Sequence, residues 1–225
     1  MTIHFGVLLV DPRGHGVQFQ DVSPVDLIAD LSNEYLSTLP ADDAQFDAVR
    51  AGGIDLEMHY IADTREAPVR LTAGVRLVAT DTYATCPRLD YLWIPGAAPG
   101  YVPSGAEAAF VRARHGEVRA LFSVCTGAVV LGAAGVADGR RATGNRGVVG
   151  MLRAAYPKVL WSDEERWVVD EEARLWTCGG AQTAIDMLAT YLKQHFDPAA
   201  VGFTMMAGDF QIREQKYPTA AAAAA

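Results

Sequence analysis

The chain has 225 residues, half of them hydrophobic, and a formal net charge of −8. It is therefore long enough to bury a sizeable core, and its scattered Lys and Arg disfavour binding to nucleic acid or anionic membranes. No apolar run approaches the roughly 18 residues that a membrane span needs, and the first ten residues lack the pattern of a signal peptide. The three cysteines, Cys86, Cys125 and Cys178, cannot all pair and show no metal-ligand spacing, which favours a reducing cytoplasm.

The first predicted elements are a buried strand and a helix. Residues 3–10 form a nearly continuous apolar run, typical of a strand in a parallel sheet. Further on, Ser23-Pro24 predicts a helix start, with Ser as N-cap and Pro at the first helical position. The apolar face of that helix is formed by Leu27, Ile28, Leu31 and Tyr35.

The middle of the chain continues with strands, a hairpin and a second helix. Residues 54–62 predict a strand, 69–80 a hairpin, and 91–96 a buried strand that ends in a Gly/Pro-rich loop. A helix over 106–115 then leads into a further strand, which ends at Cys125.

After Cys125, helices and short strands alternate without a linker. We therefore predict a single α/β domain over residues 1–215, with a largely parallel central sheet and helices on both faces, and a tail over 216–225. No internal repeat is visible in the sequence.

Cys125 lies at the predicted junction of a strand and a helix. Backbone N–H groups at a helix start and the helix dipole favour a thiolate over a thiol, so this position suits a nucleophile. Gly127 leaves room there for a tight turn or for close approach of a substrate. The alternative interpretation is a small cysteine buried in a core strand.

Other candidate groups follow strand ends that would share an edge of the sheet with Cys125, where ligands of open α/β folds bind. One is the Gln20-Asp21 pair, and the other is the loop that begins with Gly96-Ala97, whose backbone N–H groups could stabilise an oxyanion. The alternative interpretations are that Asp21 is an ordinary solvated carboxylate and that the Gly96-Ala97 loop is an ordinary turn. The remaining candidates are expected to be surface or structural groups: His15, His195 and Cys178.

Taken together, several segments resemble the ThiJ/PfpI superfamily, and most closely its isonitrile-hydratase-like branch and the fungal relatives of that branch. They are residues 5–9, 20–27, 89–96, 123–127, 139–143 and 176–180, followed by Ile185-Asp186. The resemblance implies a flavodoxin-like sandwich of the class I glutamine amidotransferase type, usually dimeric, with Cys125 as the nucleophile. The apolar face of the first helix is a second reason to expect a homodimer.

Two features of this chain bear on the reaction that the resemblance implies. Family proteases place His directly after the Cys, whereas Thr126 stands there in this chain and also in isonitrile hydratases. The acid of isonitrile hydratases falls four residues before the family's Pro, where this chain has Gln20, and Asp21 lies three before Pro24. A one-residue shortening puts Asp21 in the place of the acid; without it, the acid is missing.

The resemblance therefore implies a cysteine-dependent hydro-lyase that converts a small isonitrile to an N-formamide without a metal or organic cofactor. Its expected catalytic residues are Cys125, Asp21 and Thr126, and its expected substrate-binding or oxyanion residues are Gly96, Ala97, Gly127 and Gln20. The alternatives are a glyoxalase or deglycase acting on 2-oxoaldehydes and a non-enzymatic redox sensor or ligand-binding protein.

Overall fold

A computed structural model describes residues 1–10 and 16–218 of the chain. His15 and most of the loop that follows the first strand lie outside the described residues, as do residues 219–225. Within the described residues, no helix is both long enough and apolar enough to cross a bilayer.

The described strands and helices alternate along the chain as follows. The strands are β1 (Ile3–Leu8), β2 (Leu56–Ala62), β3 (Val69–Arg70), β4 (Arg76–Leu77), β5 (Asp81–Thr82), β6 (Tyr91–Ile94), β7 (Ala120–Val124), β8 (Arg141–Thr143), β9 (Leu160–Ser162), β10 (Trp167–Asp170) and β11 (Leu175–Cys178). The helices are α1 (Phe19–Val22), α2 (Asp26–Ala29), α3 (Asn33–Leu36), α4 (Asp47–Ala51), α5 (Gly105–His115), α6 (Ala128–Ala134), α7 (Val149–Ala155), α8 (Ala181–His195) and α9 (Pro198–Ala207).

Seven of the described strands form the central sheet, in the order β10-β11-β7-β6-β1-β2-β5. All neighbours in it are parallel except β10, which runs antiparallel to β11 at one edge. The central strands are buried because helices pack around the sheet, as their continuous apolar sequences predict. The predicted flavodoxin-like α/β fold is thus confirmed, and so is the hairpin, formed by β3 and β4.

A cluster of aromatic side chains fills one side of the sheet. Its members come from adjacent strands and from α8: Phe5, Tyr91, Trp93, Phe122, Trp176 and Tyr191. The Tyr191 ring meets the Phe122 and Trp176 rings edge-on, with centroids 5.0 and 5.1 Å apart. Such edge-to-face pairs fix the position of α8 on the sheet.

The start of the first helical segment differs from the sequence prediction. The backbone becomes helical at Phe19, before Ser23, and passes through a short 3₁₀ turn into α2. The Ser23 hydroxyl donates to the carbonyl of Gln20, 3.2 Å away, so Ser23 is not an N-cap. Three members of the predicted apolar face are buried within the protomer, since Leu27, Ile28 and Leu31 are each at most 1% exposed. The fourth, Tyr35, lies in the separate helix α3 and is 41% exposed. This face therefore gives no reason to expect a dimer.

Ordered contacts of the domain continue beyond residue 215. The Tyr217 N–H donates to the carbonyl of Glu164 at 3.0 Å, and the guanidinium of Arg166 lies 4.9 Å from the Tyr217 ring centroid. Upstream, Arg213 forms an ion pair of 2.6 Å with Asp186, which is fully buried in α8. The C-terminal segment through Tyr217 is thus part of the domain.

Candidate active site

Cys125 occupies a sharp turn between strand β7 and helix α6. Its φ of 58° lies in the left-handed region of backbone conformation. Residues other than Gly rarely adopt this region, because it costs them of the order of 1 kcal/mol. A 3₁₀ turn, Cys125–Gly127, connects this residue to α6. The predicted strand-to-helix junction is therefore present, and its strain is concentrated at the sulfur-bearing residue.

Gly127 allows this turn to pack against the neighbouring strand. A Cβ atom at Gly127 would lie 2.5 Å from the carbonyl oxygen of Ile94 and 2.9 Å from that of Pro95. Gly127 is buried. The glycine is therefore required by contact with protein backbone, which supports the tight turn of the two roles predicted for it.

The carboxyl of Asp21 lies beside the Cys125 thiol. Asp21 is buried in α1, where its carbonyl accepts a hydrogen bond of 2.8 Å from Trp93 Nε1 in the sheet. Its Oδ2 accepts from the Gly96 N–H at 3.1 Å, and its carboxyl is close enough to the Cys125 thiol for each group to shift the pKa of the other. Two anchors on β6 and its loop thus hold this acid against the sulfur.

Gln20 is exposed, whereas Asp21 is only 3% exposed. The two residues lie in helix α1, where adjacent side chains differ in direction by about 100°. The structure therefore brings Asp21 and not Gln20 to the thiol. The expected role of Gln20 in binding substrate has no support in this geometry.

The loop of Gly96 and Ala97 is engaged with its surroundings. The Gly96 N–H is directed at Asp21, and the Ala97 carbonyl accepts a hydrogen bond of 2.7 Å from Thr126 Oγ1. A Cβ at Gly96 would lie 2.4 Å from Asp21 Oδ2, 2.8 Å from Thr126 Oγ1 and 3.2 Å from Cys125 Cβ. Gly96 therefore positions the acid, instead of providing the predicted free oxyanion donor.

Asn145 is a site residue that the sequence analysis missed. Its Nδ2 lies 3.3 Å from the Cys125 sulfur, and its backbone N–H contacts the Cys125 carbonyl at 3.3 Å. It follows β8 directly after the 139–143 segment that carried part of the family resemblance. The closeness of Asn145 to this segment in the sequence was the only indication that it belongs to the site. A single amide side chain forms no motif with a recognisable spacing.

The two titratable groups of the site lie in surroundings that raise the pKa of both. Burial raises the pKa of Asp21 to about 6, opposed by the hydrogen bonds from Gly96 and Cys125. Burial also raises the pKa of the Cys125 thiol, the Asp21 charge raises it further, and donors from Asn145 and Thr126 act in the opposite direction. Near neutral pH the resting pair is therefore a thiol beside a carboxylate. The expectation of a preformed thiolate is wrong for this resting state.

A largely apolar cavity of about 390 Å³ adjoins Thr126. It is lined by Ala97, Ala98, Tyr101, Val129, Met151 and Tyr156, among others. Its volume lies within the usual range of small-molecule sites, about 300–1,000 Å³. The cavity can receive an apolar group while the reacting atom lies at the turn beside it.

The remaining cysteines and His195 lie outside this cluster. Burial raises the pKa of Cys86 to about 11, and burial likewise raises the pKa of Cys178, which is fully buried. His195 ends helix α8, with its ring centroid 4.2 Å from that of Tyr191. All three residues therefore have a structural placement, as the sequence analysis expected for Cys178 and His195.

Similarities to known proteins agree with the fold. Over 143 residues the chain is 32% identical to isonitrile hydratase from Pseudomonas putida, a match covering 62% of this chain and 60% of that protein. The structure superposes on a ThiJ/PfpI family protein from Pseudomonas syringae with a TM-score of 0.73 and 21% identity, covering 95% of this chain and 77% of the other. Drosophila melanogaster DJ-1beta matches with a TM-score of 0.70 and 14% identity, covering 94% and 100%.

The model of the DJ-1/PfpI family matches residues 27–194. This range includes Cys125, Thr126 and Asn145, and it begins after Asp21. Since the match spans well over half of the sequence, the chain belongs to the DJ-1/PfpI family.

Proposed function

We propose that this protein hydrates isonitriles to N-formamides, with Cys125 as the nucleophile and Asp21 as the proton shuttle. The observation that carries the proposal is the buried carboxyl of Asp21, which lies with Cys125 around Gly96 and shifts the pKa of the thiol. A carboxyl with a pKa of about 6 can both take and give a proton near neutral pH, as the reaction requires. The 32% identity to an isonitrile hydratase supports the same reaction.

The first half of the proposed reaction forms a bond between sulfur and carbon. The sulfur of Cys125 attacks the terminal carbon of R–NC while its proton passes to the Asp21 carboxylate. Asp21 then gives this proton to the same carbon, which yields a thioimidate, R–N=CH–S–Cys125. General-base assistance at this step removes the need for a preformed thiolate, in agreement with the raised pKa of the thiol.

The second half releases the product. Asp21 takes a proton from water as the water oxygen adds to the thioimidate carbon, and it then gives this proton to the nitrogen. The tetrahedral adduct R–NH–CH(OH)–S–Cys125 then gives its hydroxyl proton to Asp21 as its carbon–sulfur bond breaks, and Asp21 returns the proton to the sulfur. The products are R–NH–CHO and the regenerated thiol, so the net change is addition of one water molecule.

Thr126 and Asn145 have supporting roles in this scheme. The Thr126 N–H and Asn145 Nδ2 point at the sulfur and stabilise the negative charge that develops there when the carbon–sulfur bond breaks. The Thr126 hydroxyl donates to Ala97 and keeps its acceptor lone pairs, which can hold the attacking water. The apolar cavity beside Thr126 would receive the R group.

The groups described around the thiol favour this reaction over the deglycase alternative. Within residues 1–10 and 16–218, the groups that shift the pKa of Cys125 are Asp21, Asn145 and Thr126, and none is a histidine. A glyoxalase or deglycase of this family would be expected to use a histidine near its thiol. The test is a turnover screen with isonitriles and methylglyoxal in parallel, using wild type, Cys125→Ala and Asp21→Asn.

Formation of the N-formamide, detected by mass spectrometry and absent in both variants, is the expected result. Consumption of methylglyoxal without formamide from any isonitrile would refute the hydratase proposal and favour the deglycase. No turnover of either substrate, with ready oxidation of Cys125 by peroxide, would favour a redox sensor.

We also propose that the protein is a cytoplasmic homodimer. The dimer is supported by the family resemblance alone, and the compartment by the three free cysteines. Light scattering at micromolar concentration should give twice the chain mass of 24.1 kDa, and a mass near 24.1 kDa would refute the dimer.

A further inference from the structure

A second cluster of titratable side chains lies on strands β1 and β2, away from Cys125. His4 pairs with Glu57 in the parallel register of these strands. Residues two apart in a strand face the same side, so His59 projects beside Glu57. The cluster is therefore built from three side chains on one face of the sheet, whereas Cys125 follows the carboxyl end of β7.

The potential ligand atoms of these residues converge. His4 Nδ1 lies 3.0 Å from His59 Nε2, and the Glu57 oxygens lie 3.6 Å from His4 Nδ1 and 3.8 Å from His59 Nε2. Ligand atoms around a tetrahedral zinc ion, at bond lengths of about 2.0–2.2 Å, are separated from one another by about 3.3 Å. The shorter contacts, from Glu57 Oε2 to His4 and from Glu57 Oε1 to His59, are close to this spacing, and one ligand atom of each residue lies within 4.8 Å of those of the other two.

Asp81 supports the orientation that metal binding requires. Its Oδ2 lies 2.9 Å from His59 Nδ1, so this nitrogen carries the proton and His59 Nε2 presents its lone pair to the cluster. A carboxylate behind a ligating histidine is the usual outer partner in zinc sites. His59 is 5% exposed at its side chain and Glu57 58%, so the buried ligand is fixed and the cluster is open to solvent on the Glu57 side.

The charge around the cluster also favours a cation. The two carboxylates, Glu57 and Asp81, outweigh Arg65, which is within electrostatic reach of Asp81. Neutral histidines add no charge, so the local formal charge is negative. Two imidazoles with one carboxylate suit Zn²⁺ and neighbouring transition metals better than Mg²⁺ or Ca²⁺, which prefer oxygen ligands alone.

We propose that His4, Glu57 and His59 form a binding site for a divalent transition metal such as Zn²⁺, with Asp81 orienting His59. The fourth position would be taken by water. The site is independent of the proposed hydration reaction. Without a metal, the same residues form a hydrogen-bonded chain from Asp81 through His59 to His4, which is the alternative that the experiment must exclude.

The test is calorimetric titration of the tag-free full chain with ZnCl₂ after removal of metals by EDTA. Wild type and Cys125→Ala are compared, because a thiolate can also bind zinc. The ligand variants are His4→Ala and Glu57→Gln, chosen because both side chains are partly or well exposed and the variants should fold. The control is Glu34→Gln, which removes the same charge from an exposed position on α3.

We expect one zinc ion per chain in wild type, in Cys125→Ala and in Glu34→Gln. The affinity should fall at least tenfold in His4→Ala and Glu57→Gln, and by about 10- to 100-fold in Asp81→Asn. It should also decrease at acidic pH, because the histidines must be neutral to bind. Three results would each overturn the proposal. They are the absence of stoichiometric binding, equal affinity in His4→Ala and wild type, and loss of binding in Cys125→Ala alone.

Discussion

Replacement of Asp21 by Asn should make the protein more stable while it abolishes turnover. Burial raises the pKa of Asp21 from its ordinary 3.8 to about 6, and one pKa unit corresponds to about 1.4 kcal/mol. The folded protein binds this proton more tightly than the unfolded chain. Its free energy of unfolding therefore falls as the pH rises from about 4 to about 6, by about 3 kcal/mol in total.

The side-chain amide of the Asp21→Asn variant would avoid this cost because it does not ionise, and its oxygen can still accept from the Gly96 N–H. We therefore expect the variant to exceed wild type in stability by up to about 3 kcal/mol at pH 8, and by less than about 1 kcal/mol near pH 4. Urea unfolding over this pH range measures the difference. The matched control is Asp42→Asn at an exposed position, whose effect on stability should be small at every pH.

A stability difference that does not change with pH, or a loss of stability at pH 8, would refute the reasoning about burial. Turnover provides the second measurement on the same variant. It should fall on the order of 10²-fold or more in Asp21→Asn and remain close to wild type in Gln20→Ala. In wild type, kcat/KM should decrease as the pH falls through about 6, where the Asp21 carboxylate becomes protonated.

Three further predictions concern the thiol, the loop and the cavity. Iodoacetamide should label Cys125 before the buried Cys86 and Cys178, at a rate that still increases above pH ~8.5, since burial and Asp21 raise the thiol pKa; mass spectrometry locates the adduct. Gly96→Ala should lower stability by about 1–3 kcal/mol in urea unfolding and suppress turnover, because the new Cβ would displace the Asp21 carboxyl. Val129→Phe should raise KM for isonitriles with bulky R groups and spare methyl isocyanide, because the ring would fill the cavity.

The two substitutions among these predictions have matched controls. Gly150→Ala adds a methyl group at a helical position with open space and should not destabilise the protein. Met206→Phe places the same ring on an exposed part of α9 and should leave every KM unchanged. The prediction about the thiol would be contradicted by first labelling at Cys86, and the prediction about the loop by an active Gly96→Ala variant. Equal KM changes for small and bulky isonitriles would contradict the prediction about the cavity.

The fold was predictable because its signals are local. Continuous apolar runs such as residues 3–10 mark buried parallel strands, and the strand-to-helix junction at Cys125 follows from adjacent residues in the sequence. The choice between Gln20 and Asp21 was not predictable in the same way. It depends on tertiary hydrogen bonds from Trp93 and Gly96, which set the rotation of α1 about its axis.

Contacts between distant residues account for what the sequence analysis missed. Asn145 reaches Cys125 across 20 residues, and His4 meets His59 across 55 residues. Neither pair has a spacing that a motif could describe, because strand order and register bring the members together. The pKa of Cys125 was misjudged for a related reason: the helix start was visible in the sequence, but the burial of the site and the charge of Asp21 were not.

The features that cost stability coincide at the candidate active site. A positive φ alone is not informative, since Ala73, Arg174 and Asp209 also have one in this chain. At Cys125, however, the strained backbone occurs together with a buried carboxyl whose charge raises the thiol pKa. A chemical role for Cys125 and Asp21 would explain both the strained backbone and the buried carboxyl. Proton transfer between two groups requires that they be held in contact and that their pKa values suit the task.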